Sequence, residues 1–257
     1  MTTEGDLELI RAAALEAGRL ALDMRQGVRT WSKPGGSPVT AADIAVDDLL
    51  KDTLRAARPD YGWLSEETAD DPARLQARRV FVVDPIDGTV AYIRGRPWWA
   101  ISVAVVEAGR PIAGVLVAPE LEETYEATLG GGARLNGGAI SPSGREILED
   151  SAVLGDKRTL GEAQWPAMRI AQRNSVAYRM ALVAAGTFDA AVALSSKCDW
   201  DLAAADLIAA EAGASVSDHL GRPFVYNRPS PHQRSLVCAT PALWPLILAR
   251  VGHIELP

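Results

Sequence analysis

The stretch Val80-Phe81-Val82-Val83-Asp84-Pro85-Ile86-Asp87-Gly88-Thr89 decides how this chain is read. Its opening run of β-branched and aromatic residues specifies a strand buried on both faces. Two carboxylates, Asp84 and Asp87, close the strand with a proline between them. Pro85 fixes its own φ and biases Asp84 towards an extended conformation, so no helix can run through the pair. Gly88 permits a turn and the close approach of a ligand. Thr89-Val90-Ala91-Tyr92-Ile93 can then open a helix whose first amides face whatever the carboxylates hold. Acids beside free amides suit a hard cation together with a phosphate. An ordinary turn draws on the same Asp, Pro and Gly, but the complete string behind an apolar strand is far more specific than a lone D-x-x-D.

Upstream, Tyr61-Gly62-Trp63-Leu64 reads as a short strand delivering Ser65-Glu66-Glu67-Thr68. Laid beside Val80–Val83, it would bring Glu66 and Asp84 to one sheet edge. The connector Ala69–Gln76 holds one helical turn and solvent-facing acids. Apolar residues recur at helical spacing over Asp6–Met24, and a second amphipathic helix covers Asp43–Ala57. Between them, Ser32-Lys33-Pro34-Gly35-Gly36-Ser37-Pro38 is a loop or a turn between short strands. Asp43 alone serves equally well as an acid favoured by a helix N-terminus.

Downstream, strand-like runs at Trp99–Val106, Ile112–Val117 and Thr124–Ala127 predict an antiparallel meander. Leu129-Gly130-Gly131-Gly132-Ala133 lacks the phosphate-loop lysine and reads as a flexible turn. A composition change at Ser141–Asp150 divides the chain into residues 1–145, with the acidic motifs, and residues 146–257, within one compact unit. The second half alternates Ala152–Leu154 (strand), Ser175–Gly186 (helix, Ser175 as cap), Phe188–Leu194 (strand), Asp201–Ala212 (helix), Ser235–Ala239 (strand) and Ala242–Val251 (helix). Blocks of this kind predict an α/β, layered α+β arrangement.

The chain's 257 residues can bury a substantial core, and 48% hydrophobic with 23% charged residues is the composition of a globular protein. A net charge of −7 without a basic block argues against nucleic acid as a partner. No apolar run reaches the roughly 18 residues of a spanning helix, and the acidic N-terminus lacks the basic start of a signal peptide. Cys198 and Cys238 form neither a disulfide framework nor a C-x-x-C. These features predict a cytoplasmic protein with no membrane partner. His219, His232 and His253 are scattered, so they read as surface or loop residues rather than a zinc site.

Cys198-Asp199-Trp200-Asp201 precedes the strongly apolar helix. An isolated Asp201 would be an N-cap. Joined to Glu66, Asp84 and Asp87 it becomes a fourth carboxylate at an element end, enough for two or three Mg²⁺ ions, with Mn²⁺ as a substitute. Paired metals can activate water, bind phosphoryl oxygens and stabilise a departing alkoxide. With no nucleophilic triad in view, metal-assisted attack by water on phosphorus is the chemistry that fits.

Trp63-Leu64-Ser65-Glu66-Glu67-Thr68, Asp84-Pro85-Ile86-Asp87-Gly88-Thr89, and Trp200-Asp201 followed by Glu211-Ala212-Gly213 resemble the signature segments of the inositol monophosphatase superfamily. Ser37–Asp43 fits it too, and the resemblance runs from about Asp6 to the last helix. It implies a five-layer αβαβα sandwich of the inositol monophosphatase and fructose-1,6-bisphosphatase type. It also implies a Mg²⁺-dependent, lithium-sensitive phosphomonoesterase acting on a small phosphorylated metabolite, with a homodimer as a family expectation. Carried over, it makes Glu66, Asp84, Asp87, Asp201 and the carbonyl of Ile86 metal ligands. Thr89, with Glu66 and Asp43, would orient or deprotonate the attacking water. Asp87 and the amides of Gly88 and Thr89 would hold the phosphate.

Within the superfamily, inositol phosphatases commonly place an acid several residues before the Trp-Asp pair; here Leu194 stands there. Leu64–Leu75 and Gly221-Arg222-Pro223-Phe224-Val225-Tyr226-Asn227 look more like the bacterial CysQ-type 3'(2'),5'-bisphosphate nucleotidases. Val90-Ala91-Tyr92-Ile93, however, lacks the Lys-Glu-Phe frequent in that branch. Lys197, Arg179 and Ser175 are the candidate substrate contacts; Arg94, Arg96 and Arg179 could each meet a 5'-phosphate, although each reads more readily as an ordinary surface arginine. The expected substrate is 3'-phosphoadenosine 5'-phosphate. Inositol-1-phosphate or another sugar or alcohol phosphate comes second, and histidinol phosphate third. A phosphate-binding protein without turnover is the reading from another class.

Overall fold

The computed structural model describes residues 2–256. Helix α1 (Thr3–Met24) is capped by Thr2, whose side chain accepts from the Gly5 amide, and it buries Ile10, Ala13, Ala14, Ala17 and Ala21. Strands β1 (Thr30–Ser32) and β2 (Pro38–Thr40) form the hairpin around the breaker-rich segment. Helix α2 (Ala41–Ala57) begins at a reciprocal cap: the Thr40 hydroxyl meets the Asp43 amide, and the Asp43 carboxylate takes the Thr40 amide.

The central sheet follows, with β3 (Gly62–Ser65), a 3₁₀ turn (Pro72–Gln76), β4 (Arg79–Asp87), the short helix α3 (Thr89–Ile93), β5 (Ala100–Glu107), β6 (Arg110–Ala118), β7 (Glu123–Thr128), β8 (Gly132–Leu135) and β9 (Gly138–Ala139). These seven strands lie in sequence order. Strand β3 runs parallel to β4, and every later pairing is antiparallel. The meander expected from the turn spacing is therefore present. Alternation along β4 explains its unbroken apolar run: Phe81 and Val83 pack with α1 and α2, while Val80 and Val82 pack with the helices of the opposite layer.

The remaining elements are β10 (Ala152–Leu154), α4 (Lys157–Leu160), β11 (Arg169–Ala171), α5 (Val176–Ala184), β12 (Ala190–Ala193), β13 (Lys197–Cys198), α6 (Asp199–Ala212), β14 (Ser215–Ser217), β15 (His232–Gln233), β16 (Leu236–Ala239) and α7 (Leu243–Val251). A second sheet has the order β11-β10-β12-β16-β14 and mixes parallel with antiparallel pairs. Helices α5 and α6 lie between the two sheets, sharing a core with Val82 and Leu116 on one side and Ala191 and Cys238 on the other. Helix α7 covers the outer face of the small sheet through Leu243, Ile247 and Val251. The layers thus run helix, sheet, helix, sheet, helix. Contact between α6 and β6 is tight enough that a Cβ on Gly114 would lie 2.9 Å from the Ala204 carbonyl oxygen.

Two sequence expectations need refinement. The glycine-rich turn is pinned, because the Glu211 carboxylate accepts from the Gly130 and Gly132 amides at 2.8 and 2.9 Å. His219 lies in a loop as expected, yet it is buried, with Nδ1 2.8 Å from the Ser235 hydroxyl. Among the described residues no helix is long and apolar enough to cross a membrane.

Candidate active site

The parallel register of β3 and β4 pairs Ser65 with Val83, so Glu66 and Asp84 emerge together at the same edge. Beyond Asp84 the β4–β5 register slips before resuming at Asp87. This irregularity, built on Pro85, turns the second carboxylate towards the first. Asp84 is buried, with Oδ1 taking the Ile86 amide at 3.1 Å. Asp87 is gripped by the start of α5: Ser175 Oγ donates to Oδ2 at 2.6 Å, the Ala177 amide to Oδ2 at 2.6 Å and the Val176 amide to Oδ1 at 3.1 Å. Asp201 sits in the first turn of α6, where its Oδ2 accepts from the Cys198 amide at 2.7 Å. The helix begins at Asp199 with Cys198 as its N-cap, so Asp201 is not the cap but the third helical residue, which closes the capping box and joins the cluster. Carboxylate oxygens of Asp84, Asp87 and Asp201 all lie within 4.8 Å of one another.

Such crowding is costly for bare charges. Burial, reinforced by Glu66, Asp87 and Asp201, pushes the Asp84 carboxyl well above its ordinary value. Burial raises Asp87 to about 6 against the pull of its hydrogen bonds, and burial followed by the Asp87 charge raises Asp201 to about 7. A divalent cation would relieve this repulsion, and an all-oxygen donor set suits a hard ion. The residues present therefore fit a metal centre of this kind.

Glu66 borders the same cavity, of about 220 Å³, together with Ile86, Gly88 and Thr89. Its Oε1 is held by Lys33 Nζ at 2.8 Å, and the same ammonium reaches Glu67 at 2.6 Å. The turn of the β1–β2 hairpin is thereby tied to the acidic edge. Thr89 Oγ1 lies 3.1 Å from Asp43 Oδ1 and 3.2 Å from the Ile86 carbonyl oxygen. Asp43 consequently fills both roles that the sequence left open, helix acid and partner of Thr89; burial raises its pKa. Gly88 adopts φ +98°, and a Cβ there would lie 3.0 Å from the Ser175 nitrogen. Only glycine lets α3 and α5 converge here.

A second cavity of about 350 Å³ is bordered by Arg179, Lys197, Leu194 and Ser195, and it shares Asn174 and Val176 with the first. Arg179 donates through Nε to the Arg173 carbonyl at 2.7 Å. Lys197 Nζ reaches the Ser195 hydroxyl and the Ser196 carbonyl at 2.8 and 3.0 Å. Neither forms an ion pair with a carboxylate among the described residues, and burial lowers the pKa of both.

Ser175 requires a correction as a substrate contact. It is fully buried, and its hydroxyl is spent on Asp87 and on the Tyr178 amide at 2.9 Å. Arg94 and Arg96 remain exposed at the end of α3. Sequence reasoning missed Lys33 and Asp47. Asp47 binds the Ser65 and Thr68 hydroxyls and so fixes the segment carrying Glu66. Its position four residues after Asp43, on one helix face, was the available signal.

The model of the inositol monophosphatase family matches residues 2–254. An inositol-1-monophosphatase of Mesorhizobium japonicum is 34% identical over 229 residues, 82% of this chain and 85% of that protein. A histidinol-phosphatase of Chlorobaculum parvum is 32% identical over 263 residues, 97% and 98% of the two chains. The 3'(2'),5'-bisphosphate nucleotidase CysQ of Escherichia coli is 30% identical over 233 residues, 86% and 94% of the two chains. An inositol monophosphatase structure from Thermotoga maritima superposes with a TM-score of 0.84 at 27% identity, covering 96% of this chain and 97% of that one.

Proposed function

This chain belongs to the inositol monophosphatase family and is a phosphomonoesterase, and we propose that within the family its substrate is a bis-anionic ester, 3'-phosphoadenosine 5'-phosphate. Membership sets aside the reading as a binding protein without turnover. The observation that carries the proposal is the pair Arg179 and Lys197, two cations without carboxylate partners beside the cavity that adjoins the acids. A cation left half-buried and unpaired is costly unless an anion joins it. Inositol-1-phosphate presents only hydroxyls at this distance from its phosphate, and Leu194 offers them no acceptor. The ammonium of histidinol phosphate would meet like charge.

In this reading Glu66, Asp84, Asp87, Asp201 and the Ile86 carbonyl would hold Mg²⁺. A Mg²⁺ ion bound there would supply neutralisation of phosphoryl charge and acidification of a water molecule. Thr89, held between Asp43 and the Ile86 carbonyl, would orient an attacking water towards phosphorus, and Asp43 would receive the water's proton through the threonine hydroxyl. The amides of Gly88 and Thr89 fix the phosphoryl oxygens as charge develops. Arg179 and Lys197 hold the remote 5'-phosphate, so binding energy far from the reacting centre is used to align it.

Phosphate release with Mg²⁺, compared across 3'-phosphoadenosine 5'-phosphate, inositol-1-phosphate and histidinol phosphate, tests the proposal. The nucleotide should be preferred by 10²-fold or more, ~2.7 kcal/mol of transition-state stabilisation, when specificity constants are compared. Equal or greater activity on inositol-1-phosphate would refute it.

A further inference from the structure

Away from the acidic cleft, a groove of about 290 Å³ lies between α2, β3 and the 3₁₀ turn. Two cations from consecutive turns of α2, Lys51 and Arg55, border it. Neither has an ion-pair partner among the described residues, and Lys51 acts on Asp47 only through space. Arg74 also borders the groove but is saturated, by Asp70 at 2.6 and 2.9 Å, Asn227 at 2.6 Å and the Arg228 carbonyl at 3.1 Å. Two acids border it as well. Asp71 caps the 3₁₀ turn through the Ala73 amide at 2.9 Å, and Asp60 is shared with a neighbouring groove beside Arg78 and Arg79. Trp63 contributes a buried indole whose N–H has no partner among the described residues. Nearly all buried donors in folded proteins are satisfied, and of the four unpartnered indoles among the described residues Trp63 is the one bordering these cations.

We infer that this groove is a second anion site, taking a compact tetrahedral dianion of the phosphate-monoester or sulfate type on a small flat body. Lys51 and Arg55 supply the charge. The apolar body lies against the indole and the alanines Ala69, Ala73 and Ala77, which also border the groove. Thr68, another bordering residue, is two positions from Glu66 and shares Asp47 with Ser65. An occupant would therefore touch the segment that carries an acidic residue of the cleft, without entering the cleft.

Calorimetric titration of the metal-free full chain with sulfate tests the site, with inorganic phosphate as a second probe. Two double variants separate the locations: Lys51→Ala with Arg55→Ala, and Arg179→Ala with Lys197→Ala. Lys51 and Arg55 lie on the solvent side of a long helix, and an unchanged melting temperature confirms that their variant folds. We expect one saturable event that survives loss of Arg179 and Lys197 and weakens at least tenfold, ~1.4 kcal/mol, on loss of Lys51 and Arg55. An event that follows Arg179 and Lys197 instead, or an adventitious linear heat with no saturation, overturns the inference.

Discussion

The two adjoining cavities are built on opposite plans. In the acidic one, each carboxylate of the cluster receives at least one backbone amide, and Asp87 receives two amides and a hydroxyl. Like charges are forced together and held rigidly, a strained arrangement suited to a cation and to a transition state of fixed geometry. In the basic cavity, Arg179 and Lys197 are steadied by a few carbonyls and a hydroxyl, and no direct ion pair completes them; Asp87 and Asp201 act on them only through space. The first plan fixes a reaction, whereas the second leaves a specificity to be set by side chains.

The sharpest way to break this comparison is to neutralise one acid. Replacing Asp87 with Asn removes a charge and reverses one donor–acceptor match at the amides of α5. Turnover on every phosphate ester should fall by 10²-fold or more, ~2.7 kcal/mol, with secondary structure unchanged by circular dichroism. Retained turnover would remove Asp87 from the chemistry.

The basic cavity should respond selectively. Removing Arg179 and Lys197 together should lower the specificity constant for 3'-phosphoadenosine 5'-phosphate by ~10²-fold, as expected when charge-assisted hydrogen bonds of ~1.5–3 kcal/mol are lost. Inositol-1-phosphate hydrolysis should change little. Equal losses on both substrates would mean that the two cavities act as one unit.

This division also governs what the sequence could disclose. The acids stand at ends of elements that hydrophobic period and turn chemistry define, so Val80–Thr89 carries both strand and site in one string. Pairing β3 beside β4 then brings Glu66 in without further information. Arg179 shows no such signal, because it lies mid-helix and its role depends on α5 starting against Asp87. Strands β11 and β14 escaped notice for another reason: three residues are too few to display a period, and both carry polar residues, whereas the equally short β10 is apolar throughout and so stood out. Ser175 was visible as a cap, but the carboxylate it binds is 88 positions away, a contact that only tertiary packing supplies.

Ser175 offers a subtler test, since it steadies Asp87 from within the protein. Ser175→Ala deletes one hydrogen bond of about 1 kcal/mol while leaving the two amides. The Mg²⁺ concentration for half-maximal activity should rise ~5-fold, and direct Mg²⁺ titration by calorimetry should report the same shift. Ser175→Thr, which keeps the hydroxyl, should restore it. An unchanged Mg²⁺ response would leave Ser175 as a helix cap alone.

The smallest expected effect follows from the strain itself, read as stability without metal. Asp84, Asp87 and Asp201 all have folded-state pKa values above the ordinary 3.8, with Asp87 at about 6 and Asp201 at about 7. Between 3.8 and about 7 the folded chain therefore holds more protons on these groups than the unfolded chain does. Stability must then fall as pH rises through that window, the reverse of the behaviour of a salt-bridged aspartate. In EDTA, the melting temperature of the wild type should decline from pH 5 to pH 8 more steeply than that of an Asp84→Asn variant, in which one repelling charge is gone. Mg²⁺ should reverse the decline at pH 8 and have little effect at pH 5, where protons compete for the same oxygens. Parallel slopes for the two proteins would show that other groups set the pH dependence. The acidic cavity would then owe its arrangement to packing alone, with no electrostatic strain for a cation to relieve.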